Sequence, residues 1–425
     1  MPFDGIASVG NSRGTRSLRE SQMRGSIATV WQPKSLRQWL WTAAGAGALF
    51  TTLMVGYYVA NPGDYGSFWS MVAEAAQKFP LILLISALVT AMLAGLANCN
   101  KARLAATGFG LVAFLFLAMA LWPAYSMWSM ARKGNVAVSL VSHFAMSTHP
   151  TAFPSRVSRD VTYGKAVDGT ELLLDVWPAT RSVPGTLHPA FVRIHGGGWI
   201  GGVKSGLPAW NLWLNDLGYF VFDIEYRKPP RAGWKDEIGD VKCALGFVFA
   251  SAGKYGVDPA RISVTGYSAG GNLATLAAYS MGVAELPPSC AAPVVPIKSV
   301  VNFYGPSDLT AMYDMTPSPV AVHDALQKYI GGPPGQFPDR FTALSPVTYV
   351  SAKSPPTITI LGLSDRIVPR EQADDLDRAL AAAGVAHETY LLPGADHGYD
   401  ANWGAMGTQF SREKIERFLQ KYGGL

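Results

Sequence analysis

The stretch Arg261-Ile-Ser-Val-Thr-Gly-Tyr-Ser-Ala-Gly-Gly-Asn-Leu-Ala274 decides how this chain is read. It sets Gly266-Tyr267-Ser268-Ala269-Gly270, a G-x-S-x-G pattern, between a β-branched run and a run of small residues. A serine hydroxyl is a weak nucleophile until a neighbouring base takes its proton. A sharp, strained strand-to-helix turn exposes its Oγ to that base and to a substrate. Gly266 and Gly270 leave the turn room that a Cβ would fill. A strand over Ile262–Gly266 and a helix over Asn272–Tyr279 both fit the residues, so the pattern has the context it needs. The alternative is a chance match in a chain with 44 glycines, and the neighbouring motifs weigh against it.

Upstream, the apolar run Ala190–Ile194 leads into His195-Gly196-Gly197-Gly198-Trp199. Consecutive glycines let backbone approach a substrate and point successive N–H groups into one hollow, which is what a developing oxyanion requires. Ala269, the residue after the nucleophile, would add another donor. His195 is expected to orient this loop, with Gly196, rather than to act as a base.

The base should follow the serine, because the chain order for such an elbow is Ser, then Asp or Glu, then His. His323, His387 and His397 qualify. His397 lies in Gly394-Ala-Asp-His-Gly-Tyr399, just beyond the strand expected at Glu388–Leu392, and takes the base role. His387 precedes that strand and so belongs at its other end, while His323 falls in a helical run, Val320–Tyr329, as a surface or capping residue. The acid that fixes the imidazole tautomer is expected at Asp365, directly after the apolar run Thr357–Leu361. Asp308 competes with it, Asp396 should point away from its neighbour His397, and Asp223, Glu225 and Asp240 read as structural.

From about residue 156 strands alternate with helices. Strands are expected at 159–163, 172–177, 190–194, 219–225, 262–265, 299–304, 357–361 and 388–392. Helices are expected near 235–254, 269–282, 370–384 and 408–421. Such alternation predicts an α/β, doubly wound, mostly parallel sheet. No internal repeat or low-complexity segment is visible.

Together His195-Gly-Gly-Gly-Trp, Gly266-Tyr-Ser-Ala-Gly-Gly-Asn-Leu-Ala, Ser364-Asp365-x-x-Val-Pro, His397-Gly-Tyr and Lys254-Tyr-Gly-Val-Asp-Pro-Ala-Arg-Ile262 resemble the α/β-hydrolase superfamily. Within it they are similar to hormone-sensitive-lipase-like esterases and to acetyl xylan and feruloyl esterase-like proteins, over about residues 160–422. The resemblance implies a Ser268–His397–Asp365 triad, an oxyanion hole from Gly197, Gly198 and Ala269, and ester hydrolysis through an acyl-enzyme without cofactor or metal. Tyr267 stands where many hormone-sensitive-lipase-like members have Asp, and Leu361-Gly362 replaces a His-Gly often seen before the acid. The loop His195–Trp199 also resembles that of arylformamidases, so an amide or N-formyl substrate is the second reading. A non-catalytic binding protein on the same fold is the third.

Three stretches, Leu40–Ala60, Phe79–Asn100 and Leu104–Ala131, carry too few charges and are too long for ordinary core helices. Each reaches the roughly 20 apolar residues that cross about 30 Å of hydrocarbon. Trp39, Trp41, Tyr57, Tyr58, Trp122, Tyr125 and Trp128 fall towards their ends, as an interfacial aromatic belt would. Three transmembrane helices over 38–131 are expected, followed by a juxtamembrane linker, 132–155, and a catalytic domain, 156–425. In that linker Val136, Val138, Leu140, Val141, Phe144 and Met146 could make an amphipathic stretch.

The first 37 residues, with Arg13, Arg16, Arg19, Arg24, Lys34 and Arg37 against Asp4 and Glu20, read as a basic, disordered tail rather than a signal peptide. The tight loop after the second span holds Lys101 and Arg103, whereas the loop after the first holds Asp64, Glu74 and Lys78. Positive-inside counting therefore puts the N-terminus in the cytoplasm and everything after the third span outside, in a periplasm or beyond. Arg132 and Lys133 would then flank the external end.

Residues 1–133 hold eleven Lys or Arg against four Asp or Glu, and the whole chain carries +5, so the remainder is at −2. The basic surplus belongs to the membrane part, and a nucleic-acid partner is not indicated. Cys99 sits at a membrane edge, and Cys243 and Cys290 read as buried free thiols. The insert Pro306–Pro356 is the expected partial lid, with Met312, Tyr313, Met315 and Phe337 as candidate acyl-pocket residues. Without a large N-terminal cap, short acyl groups are favoured, acetyl first, on a small-molecule or carbohydrate ester or an envelope component.

Overall fold

The computed structural model describes residues 32–61, 67–145, 153–180, 185–315 and 320–424. The tail through residue 31, Asp64 and Met146 lie outside the described residues. Helices α1 (Leu36–Ala60), α2 (Phe68–Lys78), α3 (Pro80–Cys99), α4 (Arg103–Lys133) and α5 (Leu140–Phe144) come first. Of these, α1, α3 and α4 are long and apolar enough to cross a membrane, with mean hydropathy of 1.4, 2.3 and 2.3 in their most apolar windows.

The chain divides into two compact units. The first comprises the described residues up to Gly56 together with Ile82–Met119. Small residues bring its helices together, as is common where apolar helices pack without hydrophobic drive. A Cβ on Gly45 of α1 would stand 3.3 Å from the Ala105 backbone of α4. Trp41 meets Phe109 edge-on beside that crossing, with ring centroids 6.1 Å apart.

The second unit, Tyr57–Leu81 with Ala120–Leu425, is built on one eight-stranded sheet in the order β1-β2-β4-β3-β5-β6-β7-β8. The strands are β1 (Ser158–Lys165), β2 (Glu171–Trp177), β3 (His188–Ile194), β4 (Phe220–Ile224), β5 (Val257–Tyr267), β6 (Val300–Phe303), β7 (Thr357–Gly362) and β8 (His387–Leu392). β1, β2 and β4 pair antiparallel, and β4-β3-β5-β6-β7-β8 run parallel. β3 and β7 are buried along their whole length, the mark of a strand covered on both faces. The covering helices are α6 (Pro208–Asp216), α7 (Asp236–Ala250), α8 (Ala252–Tyr255), α9 (Ala269–Tyr279), α10 (Leu309–Asp314), α11 (Val320–Ile330), α12 (Pro338–Ala343), α13 (Glu371–Ala382) and α14 (Met406–Tyr422).

All eight expected strands form. β5 starts earlier than expected because its ladder with β3 opens at His188–Val257 and then shifts register before Ala190–Ile262. Asp258-Pro259 occupies that irregularity. α2 and α6 carry no signal that the sequence reading used.

Cys243 and Cys290 are not the free thiols expected of them. Cys243 of α7 and Cys290, 47 residues later, form a disulfide with their Cα atoms 5.5 Å apart. Gly164 of β1 lies against the pair, and a Cβ there would stand 3.4 Å from Cys290 Sγ. Only the folding of α7 onto β1 brings the two sulfurs together, which sequence spacing does not reveal. Replacing both cysteines by Ala is expected to cost about 2–4 kcal/mol, since an open 47-residue loop restores entropy to the unfolded chain. A comparison of urea midpoints for wild type and double variant checks this, and equal midpoints would contradict it.

Candidate active site

β5 delivers Ser268 at its carboxyl end, and α9 begins at the next residue. Ser268 sits at φ 56°, ψ −127°, a conformation L-residues avoid. It persists because the surroundings leave no alternative: a Cβ on Gly266 would overlap the Gly270 carbonyl, and one on Gly270 would overlap the carbonyls of Ile194 and His195. The Ser268 amide donates to the Phe303 carbonyl at 3.0 Å and its carbonyl accepts from Asn272 N at 3.0 Å, so both sides of the turn are tied.

The loop after β8 carries His397, whose Nε2 is 2.9 Å from Ser268 Oγ. Its Nδ1 is 2.8 Å from Asp365 Oδ2, in the loop after β7. Asp365 is fixed in turn, because its Oδ1 accepts from the amides of Ile367 and Val368, both at 2.8 Å. The Tyr304 ring meets the imidazole edge-on at 4.7 Å, and the Tyr304 hydroxyl donates to the buried carboxyl of Asp400. Burial opposes protonation of His397, but the Asp365 charge and hydrogen bond outweigh it and raise its pKa above the ordinary 6.5. An imidazole so held can take a proton from Ser268 Oγ and carry it as imidazolium.

The glycine loop after β3 lies on the same cavity. Gly197 and Gly198 have φ of 123° and 60°, which glycine alone adopts freely, and both line the space onto which Ser268 and His397 open. Ala269 opens α9, where the first amides lack intrahelical partners. His195 is fully buried, stacked on Tyr226 at 4.2 Å, with its ring nitrogens facing the Gly196 carbonyl and Glu225. It braces the loop and is turned from the serine. Trp199 Nε1 donates to Asn272 Oδ1, locking the loop to α9.

The other candidates fall elsewhere. His387 opens β8 and its Nδ1 faces the Val385 carbonyl. His323 is neither a cap nor a free surface residue: it stacks on Tyr313 at 4.3 Å and its Nε2 faces the Tyr313 carbonyl. Asp308 caps α10 by accepting from Ala311 N. Asp223 accepts from Arg193 and Asn211, and Asp240 from Arg227.

The cavity encloses about 650 Å³. Met312 is the only one of the four expected insert residues on its wall; Tyr313, Met315 and Phe337 are not, and α11 supplies Val322 and Ala325 instead. Glu74 and Lys78, an ion pair on α2, also line it, and the sequence reading assigned them no such place.

α2 is tied to the loops behind the imidazole through Arg366, next to Asp365. Its Nη1 donates to Asp396, the neighbour of His397, and its Nη2 to Gln77 Oε1 at 2.7 Å and the Tyr58 carbonyl at 3.2 Å. Asp396 does point away from the His397 ring, while its Oδ1 accepts the His397 amide at 2.7 Å. Burial pushes the Asp396 carboxyl up to about 6 although Arg366 pulls it down. Asn402 Nδ2 adds a bond to the Lys78 carbonyl at 3.3 Å.

Residues 174–380 match the BD-FAE family model. The chain is 34% identical over 246 residues to the esterase LipQ of Mycobacterium tuberculosis, 57% of each chain. It is 33% identical over 264 residues to the probable carboxylic ester hydrolase LipM of the same organism, 61% of this chain and 60% of LipM. It thus spans about three-fifths of the length of these curated relatives. Among solved structures, a truncated carbohydrate esterase from gut microbiota superposes with a TM-score of 0.54 at 24% identity, over 63% of this chain and 96% of that one. That likeness shows the fold, which is the α/β-hydrolase fold.

Arg366→Ala would leave the Asp396 carboxyl buried without its cation. The expected cost is about 3–5 kcal/mol, the usual result of breaking a buried pair from one side, read from chemical denaturation in detergent. A loss below about 1 kcal/mol, the worth of an exposed pair, would rule out this role for the tie.

Proposed function

We propose that this α/β-hydrolase is a membrane-anchored serine carboxylesterase. The observation that carries the reading is the continuous hydrogen-bonded line from Ser268 Oγ through His397 to Asp365, with the glycine loop facing the same cavity.

In this reading Ser268 Oγ attacks the acyl carbon while His397 Nε2 takes its proton. The amides of Gly197, Gly198 and Ala269 hold the oxyanion, which gathers negative charge only as the tetrahedral species forms, so they favour the transition state over the bound ester. His397 then protonates the leaving alcohol. Water, deprotonated by the same nitrogen, attacks the acyl-Ser268 ester, and the carboxylic acid departs as the serine regains its proton. Asp365 keeps the Nδ1 proton in place and stabilises the imidazolium. Leu207, Met312, Val322 and Ala325 offer the acyl chain an apolar wall. With no cap domain preceding β1 among the described residues, short acyl groups are favoured, acetyl first, on a small-molecule or carbohydrate ester or an envelope component.

α1, α3 and α4 are read as three spans, with the N-terminus cytoplasmic and the hydrolase domain outside. Two observations support this arrangement. The two crossings α3 and α4 separate the segment after α1 from the chain after α4 and so return both to one face, and α2 bonds to the hydrolase loops as that requires. A Cys243–Cys290 disulfide suits an oxidising compartment.

Ser268→Ala is expected to abolish ester turnover while leaving the far-UV spectrum and unfolding midpoint near wild type; retained turnover would refute the assignment. Asp365→Asn should lose about 10³–10⁴-fold in kcat through the wrong tautomer.

Because catalysis needs neutral His397 and its pKa is raised, kcat/KM should fall as pH drops, with its acid midpoint above 6.5. A midpoint below 6.5 would contradict the Asp365 contact.

Acetyl and butyryl aryl esters should be cleaved with higher kcat/KM than chains of about twelve or more carbons, whose further methylenes outrun a short-acyl pocket and so gain none of the about 0.8 kcal/mol that burying each would give. A clear preference for the long chains would overturn the short-acyl pocket.

A further inference from the structure

The outer face of α2 is apolar although α2 belongs to the hydrolase unit. Ser70, Ala73 and Ala76 are buried, and Glu74 and Lys78 reach the cavity. The opposite stripe, Phe68, Met71, Ala75 and Phe79, faces out, with Phe68 65%, Met71 53% and Phe79 42% exposed. These positions recur at helical spacing, so they form one continuous strip.

Chain connectivity says what covers it. Lys78, on the cavity wall, is followed by Phe79 and then by Pro80, the first residue of α3, whose 20 residues carry no charge and whose most apolar window has a mean hydropathy of 2.3. Two Cα steps of 3.8 Å put the Lys78 Cα within about 8 Å of the start of that span. The headgroup layer is itself about 5–8 Å deep on each side, a reach that takes in the cavity wall where Pro80 meets the hydrocarbon. On α4, Trp122 and Tyr125 are 71% and 59% exposed, and intervening Pro123 packs against Gly394 of the loop that carries His397. Amphipathic rings at that level suit the membrane–water boundary.

We propose that the outer strip of α2 lies in the bilayer surface, so that the active site opens onto the headgroup layer and takes esters whose alcohol is a bilayer-resident amphiphile. The inference rests on the esterase reading above and deepens it. The acyl group remains short and enters the protein cavity, while the apolar tail of the alcohol stays among the lipids. The Glu74–Lys78 pair on the wall offers that alcohol's headgroup one acceptor and one donor. Arg366, through Gln77 and Tyr58, holds α2 against the loops that carry Asp365 and His397, so a helix seated in the headgroups keeps a fixed register with the reacting atoms.

The test uses the full chain reconstituted in vesicles of phosphatidylethanolamine and phosphatidylglycerol. Hexadecyl acetate is the bilayer-carried ester and 4-nitrophenyl acetate the water-soluble one. The hexadecyl acetate rate should follow its mole fraction in the bilayer, falling about tenfold on tenfold dilution with inert lipid at constant total ester, because the enzyme samples the surface rather than the bulk. The variant Phe68→Ser/Met71→Ser should lose about five- to tenfold on hexadecyl acetate and keep 4-nitrophenyl acetate turnover within about twofold, having lost only its hold on the interface. Turnover of 4-nitrophenyl acetate with no hydrolysis of hexadecyl acetate would overturn the inference and leave the esterase reading standing. Equal loss on both esters in the variant, or a change in its oligomeric state with no change in the bilayer rate, would also overturn it, the latter marking the strip as a contact between copies. Hydrolysis of neither ester by the wild-type chain would sink both readings.

Discussion

Everything near the site depends on one strained residue. Ser268 holds a backbone conformation that L-residues avoid, and its side chain points where a relaxed turn would not send it. The strain persists because the carbonyls of β3 and the first turn of α9 come so close that Gly266 and Gly270 admit no Cβ. β3, β5 and α9 are therefore packed as one piece, and the glycine loop after β3 inherits its distance from the serine. The two loops after β7 and β8 are then placed by parallel pairing, which brings Asp365 and His397 to the same carboxyl edge.

That edge has a second layer of support. Asp365 and His397 are each followed or preceded by a charged neighbour, Arg366 and Asp396, and these two meet as a buried pair. A buried pair is a doubtful source of net stability, since desolvation offsets much of the attraction. Its value here is geometric: it fixes the two loops to each other through side chains that do not touch the serine. Nη2 of the same guanidinium donates to Gln77 and the Tyr58 carbonyl. A segment that precedes the hydrolase domain by some eighty residues thereby becomes part of the frame of the imidazole.

The extramembrane reading and the disulfide belong to one physical picture. α7 is pinned to the loop before β6 by Cys243–Cys290, which lies against Gly164 of β1. α2 is pinned at the carboxyl edge by hydrogen bonds. One cross-link is thus covalent and the other polar, and α2, held by the polar one, also lines the cavity.

The sequence by itself determined the strand order in time, the elbow, the glycine loop and the choice of His397 over His387. Each of these follows from local signals: β-branched runs, glycine positions, and which end of a strand a residue occupies. It also marked three apolar stretches, because hydropathy needs no partner to be visible. Tertiary structure alone decided the pairing of Cys243 with Cys290, the departure of Tyr313 and Phe337 from the cavity wall, the stacking of His323 on Tyr313, and the arrival of Glu74 and Lys78 at the site. These are contacts between residues tens to hundreds of positions apart, and no periodicity or spacing encodes them. α2 shows the difference most directly: its alternation of small and large residues reads as an unremarkable loop until the hydrolase loops pack against it, because one face of an eleven-residue helix acquires meaning only from what it is pressed against.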